Sequence, residues 1–491
     1  MSSAKNYVAC DLGAESGRVV LGSLADGKVR LEECHRFPTG PTVVNGSLRW
    51  DLLKFYDEIQ NGLSAVGKKT KEIAGLSVDA WGVDYAYFSE KDPLLGLPFH
   101  YRDARTDTTF PNFVKLAGKE LIFNETGVQF MQINTLYQVY DDALNRRPLV
   151  EIAKHFLGIA DYVHFLLCQE PCVERSYAST TQLFSPVENR WSGRLINLLG
   201  LPERVFAPVV DSGTKIGALS SELAGRLNLK SFPIFATCSH DTGAAVAAVP
   251  AKGENWAYLS SGTWSLLGVE LKKPFLGEAC LLNNYTNELG FERSVRFLRN
   301  ILGLWILQET RRELVQNGTD IDYPALVREA ERAPALVSLI HPNEPEFLKP
   351  GNMIEKVQNF CRRSGQPIPE TPGALARCIL ESLALSYASQ LAQLQEMLGI
   401  EIKVLHVVGG GSQNRLLNRL TASAAGMLVA AGPVEATALG NILIQAVASG
   451  ELGSLQDLRE VIRNSYTIEE FEPEDAAPWA EALERYESLT K

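Results

Sequence analysis

One motif, met twice, restricts the folds open to this chain. Tyr7-Val-Ala-Cys-Asp-Leu12 is an apolar run with a carboxylate near its end. Gly13-Ala-Glu-Ser-Gly17 then reads as a tight turn, and Arg18 to Leu24 as a second strand. Asp26-Gly27 is a hairpin signal, so Val29 to His35 forms a third strand. The chain therefore opens with an antiparallel meander. Asp51 to Val66 follows with Leu52, Phe55, Ile59 and Leu63 at helical spacing, and Ile73 to Val78 returns to strand. About half a chain later the opening pattern recurs. Trp256 to Gly262 is strand then turn, with Ser260 to Ser265 as the turn, and Ser265 to Leu271 is strand again. The recurrence reads either as a duplicated domain or as two unrelated hairpins, and the pattern alone favours neither. Pro250-Ala-Lys-Gly253 interrupts a small-residue helix over Asp241 to Val249. The expected domains are thus 1–250 and 251–491, with Leu455 to Lys491 as a charged, helical surface tail.

The 491 residues carry a net charge of −11. Such a surface repels phosphate backbones and anionic lipid, which argues against nucleic acid and membrane as partners. Leu420 to Ala448 is the most apolar long stretch, and Pro433, Glu435 and Asn441 interrupt it. It is not a membrane span. No apolar leader-like run precedes the first strand, and the eight cysteines are scattered without a CxxC. Both point to a reducing cytoplasm. The seven histidines form no transition-metal pattern.

Two segments come close to a phosphate-binding P-loop. Gly22 to Lys28 is followed by Val29 and Gly62 to Lys68 by Lys69, so both lack the hydroxyl that such a loop needs for magnesium. The first reads as a hairpin turn and the second as a helix end. Gly409-Gly-Gly411 after Val404 to Val408 is a glycine cluster, not GxGxxG.

Two carboxylates at strand ends carry the chemistry. Asp11 either caps its turn or stands beside a magnesium ion and ATP phosphates, with Gly13, Gly17, Ser16 and Arg18 alongside. Asp241, in Ser239-His240-Asp241-Thr242-Gly243, either caps a helix or accepts the proton of an acceptor hydroxyl. Phosphoryl transfer needs one acid near the metal and one near the acceptor. Trp81, between Asp79 and Asp84, is either core or a platform for a sugar face, with the two acids taking hydroxyls.

Asp11 to Arg18, Asp79 to Asp84, Tyr101 to Arg105, Ser239 to Thr242, Ser260 to Ser265, Arg299 to Trp305 and Val408 to Asn414 together resemble the FGGY carbohydrate kinases over almost the whole chain. The resemblance implies an α/β fold of two ribonuclease-H-like domains of the actin and hexokinase kind, with the active site in an inter-domain cleft. It implies ATP and Mg²⁺ as cofactors and a ketose as acceptor, L-rhamnulose at its 1-hydroxyl, with fuculose or xylulose as alternatives. Asp241 matches the catalytic base. Ala14, Glu15, Ser16, Gly17 and Arg18 match the phosphate loop, with Thr263, Gln308 and Gly410 at further ATP positions. Gly82, His240, Asp241, Thr242 and Asn300 match sugar positions, and Asp11 the acid near the metal. Glu15 departs from the Ser or Thr often found there and is expected to point away from phosphate. Cys361 and Cys378 match a pair that a relative can bridge; free thiols are expected here. A monomer or small homo-oligomer is expected. An actin-like or chaperone-like ATPase on the same fold is the alternative from another class, and a non-catalytic sugar sensor a third.

Overall fold

The computed structural model describes residues 4–489. The chain divides into two compact units. The first takes the chain up to Ala248, Glu270–Leu298 and Ala436–Ser465; the second takes Val249–Val269, Arg299–Glu435 and the chain from Tyr466.

The first unit is built on strands β1 (Lys5–Leu12), β2 (Ser16–Ala25), β3 (Lys28–Pro38), β4 (Gly75–Ala80), β5 (Thr214–Ala218) and β6 (Pro233–Ala236), in the order β5-β6-β4-β1-β2-β3. β1 to β3 form the expected meander. Asp26 and Gly27 both take positive φ, 50° and 70°, the conformation a two-residue hairpin requires. β1 is buried from Tyr7 to Leu12, as a central strand covered on both faces should be. It pairs parallel with β4, and β4 parallel with β6.

Helix α1 (Leu52–Lys69) covers one face. Asp51 caps it by accepting the amide of Lys54, and Phe55, Ile59 and Leu63 are buried. The second near-P-loop, from Gly62, is part of this helix, while Gly22 lies inside β2. Gly62 touches Val19 so closely that a Cβ would stand 2.3 Å from a valine methyl. Helices α2 (Asp241–Ala247) and α7 (Ala436–Ala448) meet backbone to backbone at Gly440.

The second unit repeats the pattern. β7 (Trp256–Ser261) and β8 (Trp264–Leu271) form an antiparallel pair; β11 (Val404–Val408) lies parallel to β7, and β12 (Leu428–Ala431) parallel to β11. Between β8 and β11 the chain runs through β9 (Thr286–Leu289) and β10 (Val295–Leu302), which up to Leu298 belong to the first unit, and then α3 (Trp305–Gln316), α4 (Tyr323–Arg332) and α5 (Pro372–Leu398) of the second; α6 (Arg415–Ala425) follows β11. Thr371 caps α5 at its start and Gly399, at φ 63°, ends it. Cys361 and Cys378 are free thiols within hydrogen-bonding reach of each other.

The expected helical tail is only partly helical. α8 (Leu455–Ser465) and α9 (Ala476–Ser488) flank a strand, β13 (Glu469–Phe471), that pairs antiparallel with β12. An open sheet edge outcompetes helix propensity in that short charged stretch. The end of the expected tail, residues 490 and 491, lies outside the described residues, as do residues 1–3 of the segment read for a leader. Among the described residues no helix is long and apolar enough to cross a membrane.

At Gly440 an added Cβ would sit 1.9 Å from the carbonyl oxygen of Ala244. A backbone atom cannot swing aside, so Gly440→Ala should force α2 and α7 apart. We expect a loss of about 1–3 kcal/mol or more in urea unfolding; an unchanged midpoint would contradict this packing.

Candidate active site

The ends of three neighbouring parallel strands gather the acids. Asp11 on β1 lies in register with Asp79 on β4. The next residue of β4, Ala80, bridges to His240 and donates its amide to the carbonyl of Ser239 at 2.9 Å. Asp241 follows at the start of α2.

Each acid has a distinct surrounding. Asp11 holds Arg18, its cross-strand partner, through Nε at 3.0 Å and Nη2 at 2.8 Å. Asp79 is fully buried, and its Oδ2 accepts from Asn441 at 2.5 Å. Burial, and then the charge of Asp11, holds the Asp79 carboxyl well above the usual range. The Asp241 side chain is 30 % exposed. Loss of hydration raises its proton affinity; His240 opposes the rise and Asp11 adds to it. Its Oδ1 accepts the amide of Thr242 at 2.5 Å and the Thr242 hydroxyl at 3.2 Å, and lies 3.4 Å from His240 Nε2. Two donors from Thr242 on one oxygen leave Oδ2 to receive another group.

The segment under Asp241 is anchored from below. Glu174, fully buried, accepts the Ser239 amide at 2.8 Å and the Ser176 amide at 2.9 Å. Asp161 accepts the Ser239 hydroxyl at 2.7 Å, and the His240 amide donates to Ser176 Oγ at 3.1 Å. Gly82 completes this edge. A Cβ there would come within 3.1 Å of Thr180 Oγ1 and 3.4 Å of His240 Nε2.

The turn after β1 is tightly tied. Gly13 donates its amide to Ser16, Thr39 donates its amide to the Glu15 carbonyl, and Gly17 packs on Phe37. Ala14 is half-buried and Glu15 exposed. Ser16 Oγ accepts from Arg36 at 3.2 Å.

Trp81 corrects the sugar-platform reading. It is 7 % exposed, lies 4.2 Å from Trp50 ring to ring, and donates its indole N–H to Asp84 at 3.0 Å. Asp84, fully buried, also accepts from Trp50 at 2.6 Å, the Tyr101 amide at 3.1 Å and Gln138 at 3.1 Å. Burial still outweighs these four donors and lifts its carboxyl to about 6. Arg105 is likewise internal, paired with Asp142 at 2.8 Å. The conspicuous polar residues of this region hold the core together.

The second unit carries a cavity of about 1040 Å³, a size suited to a nucleotide. Gly262, Gln308, Tyr323, Arg328, Gly410 and Asn414 are among its lining residues. The turn between β7 and β8 is held by its carbonyls, Gly262 accepting the amide of Leu304 and Thr263 that of Trp305. Gly411 passes so close to Ser261 that a Cβ would lie 2.0 Å from its Oγ, and Gly409 takes φ 86°. Gln308 Oε1 is buried without a hydrogen-bond partner among the described residues. Gln308 and Gly410 thus share one cavity with Thr263 beside it, while Asp11, Gly82, His240, Asp241 and Thr242 share one edge of the first sheet. Asn300, half-buried on β10, belongs to the second unit.

Magnesium suits the acids of the first unit. The charge of Asp11 raises the proton affinity of Asp79 and Asp241, and hard carboxylate oxygens so placed are groups a divalent cation relieves. Among the described residues no three His, Cys, Asp or Glu side chains make a ready cage. Magnesium typically takes one or two carboxylates and completes its shell with phosphate and water.

Sequence reading passed over Glu288, Arg296 and the Asp161–Glu174 anchor. Glu288 and Arg296 face each other across the β9–β10 hairpin, a pairing visible in the sequence only once that hairpin's register is known.

The FGGY family of carbohydrate kinases matches with its N-terminal domain over residues 6–248 and its C-terminal domain over 257–449. A rhamnulokinase from Enterococcus faecalis is 40 % identical over 468 residues, covering 95 % of this chain and 94 % of that protein. One from Bacteroides thetaiotaomicron is 39 % identical over 487 residues, covering 99 % and 100 %. Among solved structures, a xylulose kinase from Lactobacillus acidophilus superposes with a TM-score of 0.83 at 14 % identity, covering 99 % of this chain and 97 % of that one. A Plasmodium falciparum glycerol kinase with ADP superposes at 0.79 and 14 % identity, covering 99 % and 98 %. These two likenesses establish the fold, two ribonuclease-H-like domains of the actin and hexokinase kind.

Asp84→Ala would orphan four donors in the core. We expect unfolding in urea to weaken by about 3 kcal/mol or more, and a change below about 0.5 kcal/mol would count against the network.

Proposed function

The chain belongs to the FGGY family of carbohydrate kinases, and from that premise we propose that it transfers the γ-phosphoryl group of ATP to the 1-hydroxyl of L-rhamnulose. The products are ADP and L-rhamnulose 1-phosphate. The observation that carries this reading is near-full-length similarity, at 39–40 % identity, to kinases named for that sugar.

Asp241 is the general base. Its Oδ2 accepts the proton of the 1-hydroxyl while that oxygen bonds to the γ-phosphorus and the bond from phosphorus to the β,γ-bridging oxygen breaks. Gly82, His240, Thr242 and Asn300 bind the sugar. ATP takes the cavity lined by Gln308 and Gly410, with Thr263 beside it, and Ala14, Glu15, Ser16, Gly17 and Arg18 serve its phosphates. Glu15 contributes through its backbone, since a carboxylate facing phosphate would repel it. Asp11 would hold Mg²⁺, which when bound would offset phosphate charge. Most of the acceleration comes from alignment and charge placement, because phosphoryl transfer leaves little covalent work to a protein. The setting proposed is cytoplasmic, as a monomer or small homo-oligomer, with no nucleic-acid or membrane partner.

ADP release measured with Mg²⁺ and ATP against rhamnulose, fuculose and xylulose tests the substrate. Rhamnulose should have the highest kcat/KM; a higher value for either other ketose refutes the assignment. ADP release without sugar at a comparable rate would favour the actin-like alternative.

Asp241→Asn should lower kcat by about 10²–10⁴-fold, with sugar binding retained by calorimetry. Turnover close to normal would remove Asp241 from the base role. The base must be ionised to act, and its proton affinity is raised. Wild-type kcat should therefore decline on acidification from a pH above the ordinary aspartate value of about 3.9. A flat profile down to that value would show an unperturbed carboxyl.

A further inference from the structure

Arg296 is wholly buried, yet it lies beside the histidine that precedes the base. It comes from β10, directly opposite Glu288 on β9. Its Nη2 is 3.1 Å from His240 Nδ1, in hydrogen-bond geometry, and its Nε donates to the Leu289 carbonyl at 3.2 Å. Glu288 Oε2 is 3.1 Å from Arg296 Nη1 and 3.3 Å from His240 Nδ1. On the other side of the ring, Nε2 looks toward Asp241 Oδ1 at 3.4 Å and toward the space that Gly82 leaves open.

A guanidinium has only donors. To accept that hydrogen bond Nδ1 must offer a lone pair and carry no hydrogen, whereas a hydrogen on Nδ1 would face the more distant Glu288 Oε2. In a neutral imidazole the hydrogen then resides on Nε2, the atom facing the acid and the sugar positions. Glu288 supplies the counter-charge that allows Arg296 to be buried.

We propose that Arg296, balanced by Glu288, is a positioning residue that fixes His240 as an Nε2–H donor beside Asp241. The Nε2–H joins the two Thr242 donors on the Oδ1 side of the carboxylate, so Oδ2 is the oxygen presented to the acceptor hydroxyl. This consequence rests on the reading of Asp241 as base; the state of the ring does not.

Nitrogen NMR on the full chain, labelled with ¹⁵N-histidine, reads the tautomer directly. His240→Gln identifies the His240 signals by their loss. In the wild type Nδ1 should resonate as a bare, pyridine-like nitrogen and Nε2 as a protonated, pyrrole-like one. The reverse pattern, or two pyrrole-like nitrogens, would overturn the proposal, and this holds even if no Arg296 variant folds. Arg296→Met should mix or invert the pattern, while Arg296→Lys, which keeps a cationic donor, should preserve it.

In turnover, Arg296→Met should lower kcat/KM for the ketose about ten- to hundredfold, the scale of one lost buried hydrogen bond. Arg296→Lys should recover most of it, with both variants matching the wild type by circular dichroism. Undiminished kcat/KM in a folded Arg296→Met would also overturn the proposal. If no ketose is phosphorylated, the substrate assignment fails while the nitrogen spectrum still decides the tautomer.

Discussion

Like charges converge where β1, β4 and β6 end, and much of the surrounding architecture answers that repulsion. Asp11 is balanced by Arg18 across the hairpin, and Asp79 is buried under Asn441. Asp241 sits at the start of α2 under donors from Thr242. An acid without such partners would cost several kcal/mol to bury. Adjacent parallel strands place their ends together, and the alternation of side chains then decides which acids share a face. Three carboxylates gathered in this way cannot all ionise cheaply. That is the electrostatic setting in which a base keeps a raised proton affinity and a cation is welcome.

Much of this was legible in the chain. Apolar runs ending in Asp11 and before Asp241, the Asp26-Gly27 turn and the recurrence at Gly262 are local signals, and local signals survive folding. Trp81 was not legible, because an indole next to two acids has the same composition whether it faces a sugar or Trp50. Burial decides, and burial is a long-range property. The strand at Glu469–Phe471 was hidden for the same reason: its partner, β12, is about forty residues earlier in the chain. Arg296 reads as an ordinary charged residue in a strand until His240, far back in sequence, comes beside it.

The two units divide their polar groups differently. In the first, buried charges are linked in chains: Asp161 and Glu174 to Ser239, Arg296 and Glu288 to His240. Such networks hold a reactive side chain within a narrow range of orientations. In the second, the cavity relies on backbone, with glycines at 409 to 411 and carbonyls tied to the start of α3. Backbone contacts suit a ligand common to many enzymes, and side-chain networks suit one that must be told from its isomers.

The contact of Gly411 with Ser261 has a consequence for how such a protein can diversify. Where the Gly411 backbone lies this close against the Ser261 side chain, there is no room for a second side chain. Change in the shape of that cavity is therefore left to the helix-borne residues around its floor, Gln308 on α3 and Tyr323 and Arg328 on α4. The glycine turn is a fixed floor, and the walls above it are the part open to substitution.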